Sequence, residues 1–172
     1  MFFDCIRARR SIRKFTAQPV ETEKIQLITE AALRAPSSRG RQPWEFYVVT
    51  SPTTLTKLAR SKMHGSAFLG GTTLAIVVCA DPNVSDVWIE DTAIAATYIQ
   101  LAAQELGLAS TWVQIRLRQH DQQTSSEAFL REQLNLPATL QVASIIGIGY
   151  PAETLPGWKV SDLPSGKIHF TE

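Results

Sequence analysis

With 172 residues and no linker or composition break, the chain has the length of one ordinary domain and can bury a core. Its composition, 44% hydrophobic and 19% charged, excludes disordered and fibrous classes. A formal net charge of +1 provides no overall field for nucleic acid or anionic membrane, and two widely separated cysteines, Cys5 and Cys79, exclude a disulfide framework and a structural zinc.

In chain order, Pro19 precedes a segment in which Ile25, Ile28, Ala31, Ala32 and Ala35 recur at helical spacing until Pro36 breaks it. The β-branched and aromatic run from Glu45 to Thr50 reads as a strand. Ser51-Pro52, an N-cap and first-turn pair, then opens a short helix reaching about Lys62. Leu74 to Ala80 is a buried strand stopped by the turn signal Asp81-Pro82-Asn83. From Trp88 to Leu106 the pattern predicts a long helix rich in small residues, closed by Gly107, with Glu90 and Asp91 favouring its N-terminal dipole. Ser110 to Ile115 reads as a strand, Ser125 to Leu134 as a helix and Leu140 to Gly149 as another buried strand. From Tyr150 onward three prolines and little periodicity predict an extended tail lying over this protomer or a partner. The order α, α, β, α, β, α, β, α, β, tail predicts a layered α/β or α+β domain over residues 1–172.

Three segments carry candidate chemistry. Arg9-Arg10-Ser11-Ile12-Arg13 places three guanidiniums and a hydroxyl within five positions, which suits a phosphate, because guanidiniums bind its oxygens bidentately and keep their charge when partly buried. The same run also reads as a solvated basic patch. Pro36-Ser37-Ser38 through Gln42-Pro43-Trp44 forms a rigid polar loop apt for a polyol or ring edge, or an ordinary turn. Neither serine sits in a GxSxG elbow. Leu106 through Gln114 takes a helix end into a strand, a candidate site segment or plain packing with Trp112 as core. His64, His120 and His169 stand at no metal-ligand spacing, so no metal is expected. Gly147-Ile148-Gly149 lacks the third glycine and helix of a dinucleotide fingerprint. The N-terminal stretch shows no signal-peptide pattern, and the longest apolar run falls far short of the roughly 20 residues of a membrane span, so a cytoplasmic protein is expected.

Together, in this order and separation, the three segments resemble the nitroreductase family, most closely its short members. The closing Gly147-Ile148-Gly149-Tyr150-Pro151-Ala152-Glu153 resembles the family's last strand and turn. The resemblance implies an α+β layered fold, a central mixed or antiparallel sheet flanked by helices, a homodimer built on the long helix, and a C-terminal tail wrapping the partner protomer. It implies FMN at the dimer interface and NAD(P)H as electron donor. The implied cofactor-binding residues are Arg9, Arg10, Ser11 and Arg13, with Pro36, Ser37 and Ser38 from the second protomer, then Gln42, Trp112, Val113, Gln114 and Lys159. Arg13 would lie near flavin N1 and O2, and the Gln114 backbone amide near N5; the flavin carries the chemistry, so no catalytic side chain is required.

The chain departs from the family pattern in three places: His64-Gly65-Ser66-Ala67-Phe68 replaces a region where members often carry Asn and Lys, Gly40 stands where Asn is common, and the tail, which commonly supplies a Lys/Arg pair to the phosphate, offers Lys159 beside Trp158. The expected activity is ping-pong electron transfer to a small electron-poor acceptor such as a nitroaromatic or quinone. Two other readings remain: a flavin-binding redox-partner protein with little NAD(P)H turnover, and a cofactor-free basic interaction module.

Overall fold

The computed structural model describes residues 2–171, so the two end positions of the expected 1–172 domain lie outside the described residues. The helices are α1 (Phe2–Ala8), α2 (Thr22–Leu33), α3 (Pro52–Leu58), α4 (Trp88–Glu105) and α5 (Ser126–Leu134), and the strands are β1 (Trp44–Val49), β2 (Leu74–Ala80), β3 (Ala109–Gln114) and β4 (Gln141–Gly149). The strands form one antiparallel sheet in the order β1-β2-β4-β3. Helices and antiparallel sheet make an α+β fold.

Period-two alternation divides the core between the two faces of the sheet. Ile76, Val78, Ile146 and Ile148 meet Ile28 and Ala32 of α2 and Ala96, Ile99 and Ala103 of α4. Val77, Cys79, Val113 and Ile145 meet Leu55 and Leu58 of α3 and Leu130 of α5. With both faces covered, every residue of β2 is buried, which is why Leu74 to Ala80 reads as an unbroken apolar run. Each fully buried aliphatic side chain contributes about 1.5–3 kcal/mol relative to exposure.

Ends fall where the side chains dictate. Ser51 caps α3 by accepting from Thr54 N, and Ser125 caps α5 by accepting from Ala128 N. Gly107 closes the C-terminus of α4 at φ +75°, a conformation glycine adopts without strain. The helix read from Ser51 to Lys62 stops at Leu58 instead. Ser66 takes over the local bonding there, donating to Ala59 O at 2.9 Å and accepting from Lys62 N at 3.2 Å, so the chain leaves the helix for a compact turn. The tail does not run fully extended: it makes two short 3-10 turns, Val160–Asp162 and Ser165–Lys167, after crossing α1. At that crossing Gly157 leaves no room for a side chain, because a Cβ would stand 2.0 Å from Arg7 O.

Burial pushes the Cys79 thiol up to about 12, with the Glu45 and Glu127 carboxylates adding to the effect. Cys79 therefore stays a neutral thiol at pH 8, and a thiol-alkylating reagent should modify it only after unfolding, as mass spectrometry of native and denatured samples would show. Leu130→Ala should cost about 2–5 kcal/mol by opening a cavity under α5. That loss should appear as a lower urea midpoint at unchanged slope.

Candidate functional site

The first segment is stitched to the edge of the sheet. Ile12 is buried and donates its N–H to Ser110 O at 3.3 Å, Thr111 Oγ1 donates to Ile12 O, and Ser11 and Ser110 form a parallel bridge. In this extended run Ile12 points inward, so Ser11 and Arg13 project the other way. The chain then pairs with the turn after β4, through Thr16 N to Tyr150 O and Ala152 N to Lys14 O, both 2.8 Å. Glu153 closes the arrangement: its Oε1 accepts from Arg13 N at 3.0 Å and Lys14 N at 3.2 Å. Among the described residues, Arg9 and Arg13 have no carboxylate partner.

The third segment is β3, an edge strand. Gln114 lies opposite Ser144, and Ile115 N donates to Ala143 O at 3.2 Å. In an antiparallel ladder that pattern makes Gln114, and Trp112 two residues earlier, non-hydrogen-bonded positions whose N–H groups face away from β4. Both amides are aimed at the open edge. The side chains there are locked: Trp112 Nε1 donates to Gln114 Oε1 at 3.0 Å, and Gln114 Nε2 donates to Arg116 O at 3.1 Å. Val113, by contrast, is buried in the opposite face. A groove of about 590 Å³ between α1, α4 and β3 brings Arg9, Ser11 and Trp112 together.

The second segment sits elsewhere. Ser37 Oγ accepts from Gln42 N at 2.9 Å, and Ser38 N donates to Asp91 Oδ1 at 2.8 Å. Asp91 is 2% exposed in the first turn of α4, and its other oxygen accepts from Ser85 Oγ at 2.9 Å. Arg39, Gly40 and Gln42 all have left-handed backbone, at φ +53°, +65° and +50°. Gly40 thus stands where glycine and asparagine are the two residues that tolerate the backbone, so its exchange for the family's Asn leaves the loop geometry intact. Two non-glycine residues in this region store about 1–3 kcal/mol each and persist because Asp91, Ser37 and the buried Trp44 fix the loop.

Within one chain these parts stay apart. The Pro36–Gln42 loop is tied to α4 at Asp91, while the Arg9–Ser11 groove meets α4 at Thr97, Gln100 and Leu101. Asp91 and Leu101 are ten residues apart, roughly 15 Å of helix rise. Two of the sequence-predicted residues lie outside the groove lining. Arg10 turns to the tail, donating to Pro156 O with its guanidinium carbon 4.8 Å from the Trp158 ring centroid. Lys159 is exposed on that tail. Among the described residues no helix is long and apolar enough to cross a membrane, and no group of three or more His, Cys, Asp or Glu could hold a metal.

A model of the nitroreductase family matches residues 6–68 and 62–150, a span that holds all three segments. The chain belongs to the nitroreductase family. A solved FMN-dependent nitroreductase from Clostridium difficile superposes with a TM-score of 0.96 at 44% identity, covering 99% of each chain. A provisionally named NADH dehydrogenase/NAD(P)H nitroreductase from Archaeoglobus fulgidus is 35% identical over 161 residues, 91% of this chain and 89% of the relative. An NADPH-flavin oxidoreductase from Vibrio harveyi is 31% identical over 163 residues, 86% of this chain and 65% of its own.

Sequence reasoning missed two residues that hold the candidate site's segments in place. Asp91 read as a helix-dipole residue but is a buried acceptor, and Glu153 read as part of a closing turn but anchors the Arg13 backbone. Neither position carries a sequence signal for this, since each accepts from backbone amides far along the chain, Ser38 N for Asp91 and Arg13 N and Lys14 N for Glu153. Asp91→Ala leaves Ser38 N and Ser85 Oγ without their acceptor and should cost about 1–3 kcal/mol. Amide exchange at Ser38 should accelerate in that variant, while exchange in β3 stays at the parent rate.

Proposed function

We propose that this nitroreductase-family chain is an FMN-dependent oxidoreductase that works as a homodimer and passes electrons from NAD(P)H to a small electron-poor acceptor such as a nitroaromatic or quinone. The observation that carries the reading is the open edge of β3, where the outward amides of Trp112 and Gln114 lie in line with Ser11 and with Arg9 and Arg13, two guanidiniums lacking carboxylate partners. That donor set fits an anionic, hydrogen-bonding ligand with an acceptor-rich ring. Bound there, FMN would supply the two-electron chemistry that no side chain in the site can.

The protein's own groups hold and tune. Arg9 and Ser11 would bind the phosphate end, and Lys159 would add a charge from the tail. Arg13, with its backbone fixed by Glu153, would hold negative charge at the N1/O2 edge, and the Gln114 amide would donate at N5. Trp112 and Val113 would fix the level of the strand against the ring. Arg10 would act at one remove by anchoring the tail.

Pro36, Ser37, Ser38 and Gln42 require a second copy, because in one chain they stand at the other end of α4. The outward face of α4 suits that role. Ile94 and Tyr98 are exposed on it, with Phe2 of α1, 63% exposed, beside Tyr98. An apolar surface of this kind marks an interface. A two-fold axis across α4 would bring the N-terminal end of one copy's helix to the C-terminal end of the other's, and so the Pro36–Gln42 loop to the Arg9–Ser11 groove.

The purified protein should be yellow, release FMN at about one per chain on denaturation and sediment as a dimer, as a preformed site between two copies requires. A colourless protein that takes up no FMN on reconstitution would reject the reading. Initial-rate lines with NAD(P)H and a quinone should be parallel, since donor and acceptor take the same site in turn. Arg13→Ala should weaken FMN retention and slow its reduction about 10²-fold, the scale of losing one charge-stabilising group.

A further inference from the structure

A second group of cations stands past the far end of β3. Two turns meet there, one following α3 and one following β3, joined by Met63 N donating to Gln119 O at 3.2 Å and by His120 Nδ1 at 2.6 Å from Arg60 O. The junction gathers Arg60, Lys62 and Arg118, while the Arg116 guanidinium turns to the Trp88 ring, 5.9 Å from its centroid. The one carboxylate in these turns, Asp121, is already engaged: Oδ1 accepts from Gln123 N and Thr124 N at 2.8 and 2.7 Å, and Oδ2 lies 3.7 Å from His120 Nε2. Glu127, on α5, is paired with Arg131 at 2.7 Å. Among the described residues no carboxylate pairs with Arg60, Lys62, Arg116 or Arg118.

Lys62 is half-buried, its Nζ 3.9 Å from where a Cβ on Gly65 would stand. Burial and, secondarily, the Arg118 charge hold its ammonium below the usual lysine range. Like charges held together without a counter-charge are relieved by a bound anion.

The position of this group borders the proposed flavin site without overlapping its phosphate end. Arg116 lies two residues beyond Gln114, which bonds its carbonyl. The segment that begins at Lys62 ends at Phe68, whose ring centroid is 6.0 Å from the Arg13 guanidinium carbon. From Ser110, where the first basic segment docks, to Gln114 at the end of β3 is four residues of extended chain, roughly 13 Å, and the turn that carries Arg118 lies beyond it. One phosphate cannot serve both groups.

We propose that Lys62 and Arg118, with Arg60 beside them, form the subsite for a phosphate group of the electron-donating pyridine dinucleotide. This rests on the flavin reading above. The phosphate is either the 2′-phosphate of NADPH or the pyrophosphate that NADPH and NADH share, and the two sources separate experimentally.

The test compares Lys62→Gln, Arg118→Gln and their double variant with Lys57→Gln, the same charge change on the exposed surface of α3. On FMN-loaded protein, calorimetry would give the Kd for 2′,5′-ADP and for ADP, and initial rates would give KM for NADPH and NADH. FMN content per chain would be measured on each variant. The expected result is retained FMN with about tenfold or greater weakening in the double variant, the scale of losing charge-assisted hydrogen bonds, and no change in Lys57→Gln. Weakening confined to 2′,5′-ADP and NADPH assigns the 2′-phosphate, whereas equal weakening for ADP and both dinucleotides assigns the pyrophosphate. A double variant that keeps FMN and binds all four ligands within twofold of the parent overturns the subsite alone. A parent chain that takes up no FMN overturns the flavin reading, and the subsite with it. If the double variant unfolds, Arg118→Gln decides by the same criteria, because Arg118 is exposed and, among the described residues, its guanidinium bonds just the adjacent Leu117 O.

Discussion

An edge strand leaves half of its backbone groups without a strand partner, and this fold is arranged around the way β3 uses that half. At its start the Arg9–Arg13 segment covers the edge, with Ile12 N on Ser110 O and Ser11 bridged to Ser110. At its end the outward amides of Trp112 and Gln114 stay open, in a strand whose other side is fixed by the β4 ladder and whose side chains are locked to one another. A row of rigid donors, with guanidiniums at one end that meet no carboxylate among the described residues, is preorganised for the anionic ligand proposed above: little reorganisation would be needed on binding. The buried β2 and β4 behind it supply the rigidity.

Acidic residues in the site act as scaffolding. Asp91 spends both oxygens on Ser38 N and Ser85 Oγ, and Glu153 spends one on the Arg13 and Lys14 amides. Each carboxylate holds backbone in a shape its loop would not keep alone: a left-handed polar turn at Arg39 to Gln42, and the strand-crossing at Arg13. Cations are placed in the opposite manner. Among the described residues Arg9, Arg13, Lys62 and Arg118 have no carboxylate partner, and they stand at the two ends of β3. A chain with a net charge of +1 thereby concentrates positive potential along one edge by committing nearby carboxylates to backbone amides.

The outward face of α4 and the tail are explained by the same geometry. The polar loop ahead of β1 and the basic segment at β3 are bound to opposite ends of one helix, so a site that uses both draws them from two copies. The small residues read along α4 lie largely inward, with Ala95, Ala96 and Ala103 fully buried against the sheet, while Ile94 and Tyr98 face out. The tail begins on its own protomer, where Arg10 holds Pro156 and Trp158 and Gly157 passes Arg7 O without room for a Cβ. Beyond it Ile168 and Phe170 are exposed, at 65% and 93%.

The sequence by itself determined the element order, all four strands within a residue of their ends, and the three segments that mark the family, because periodicity and turn chemistry are local and a ligand-binding motif is a run of residue types. It marked Gly107 as a helix stop for the same reason. Only the tertiary structure decided which strand lies at the edge, which amides of β3 face outward, and that Arg10 serves the tail while Arg9 lines the groove. Neighbouring arginines are identical in a sequence, and the backbone crossing beside each one separates them. Asp91 and Glu153 were hidden likewise, since an acceptor for a distant amide leaves no pattern in its own neighbourhood. The Lys62 and Arg118 group is composed of residues 56 positions apart that two turns bring together. Long-range pairing is set by burial of the sheet's two faces, a property of the folded chain as a whole.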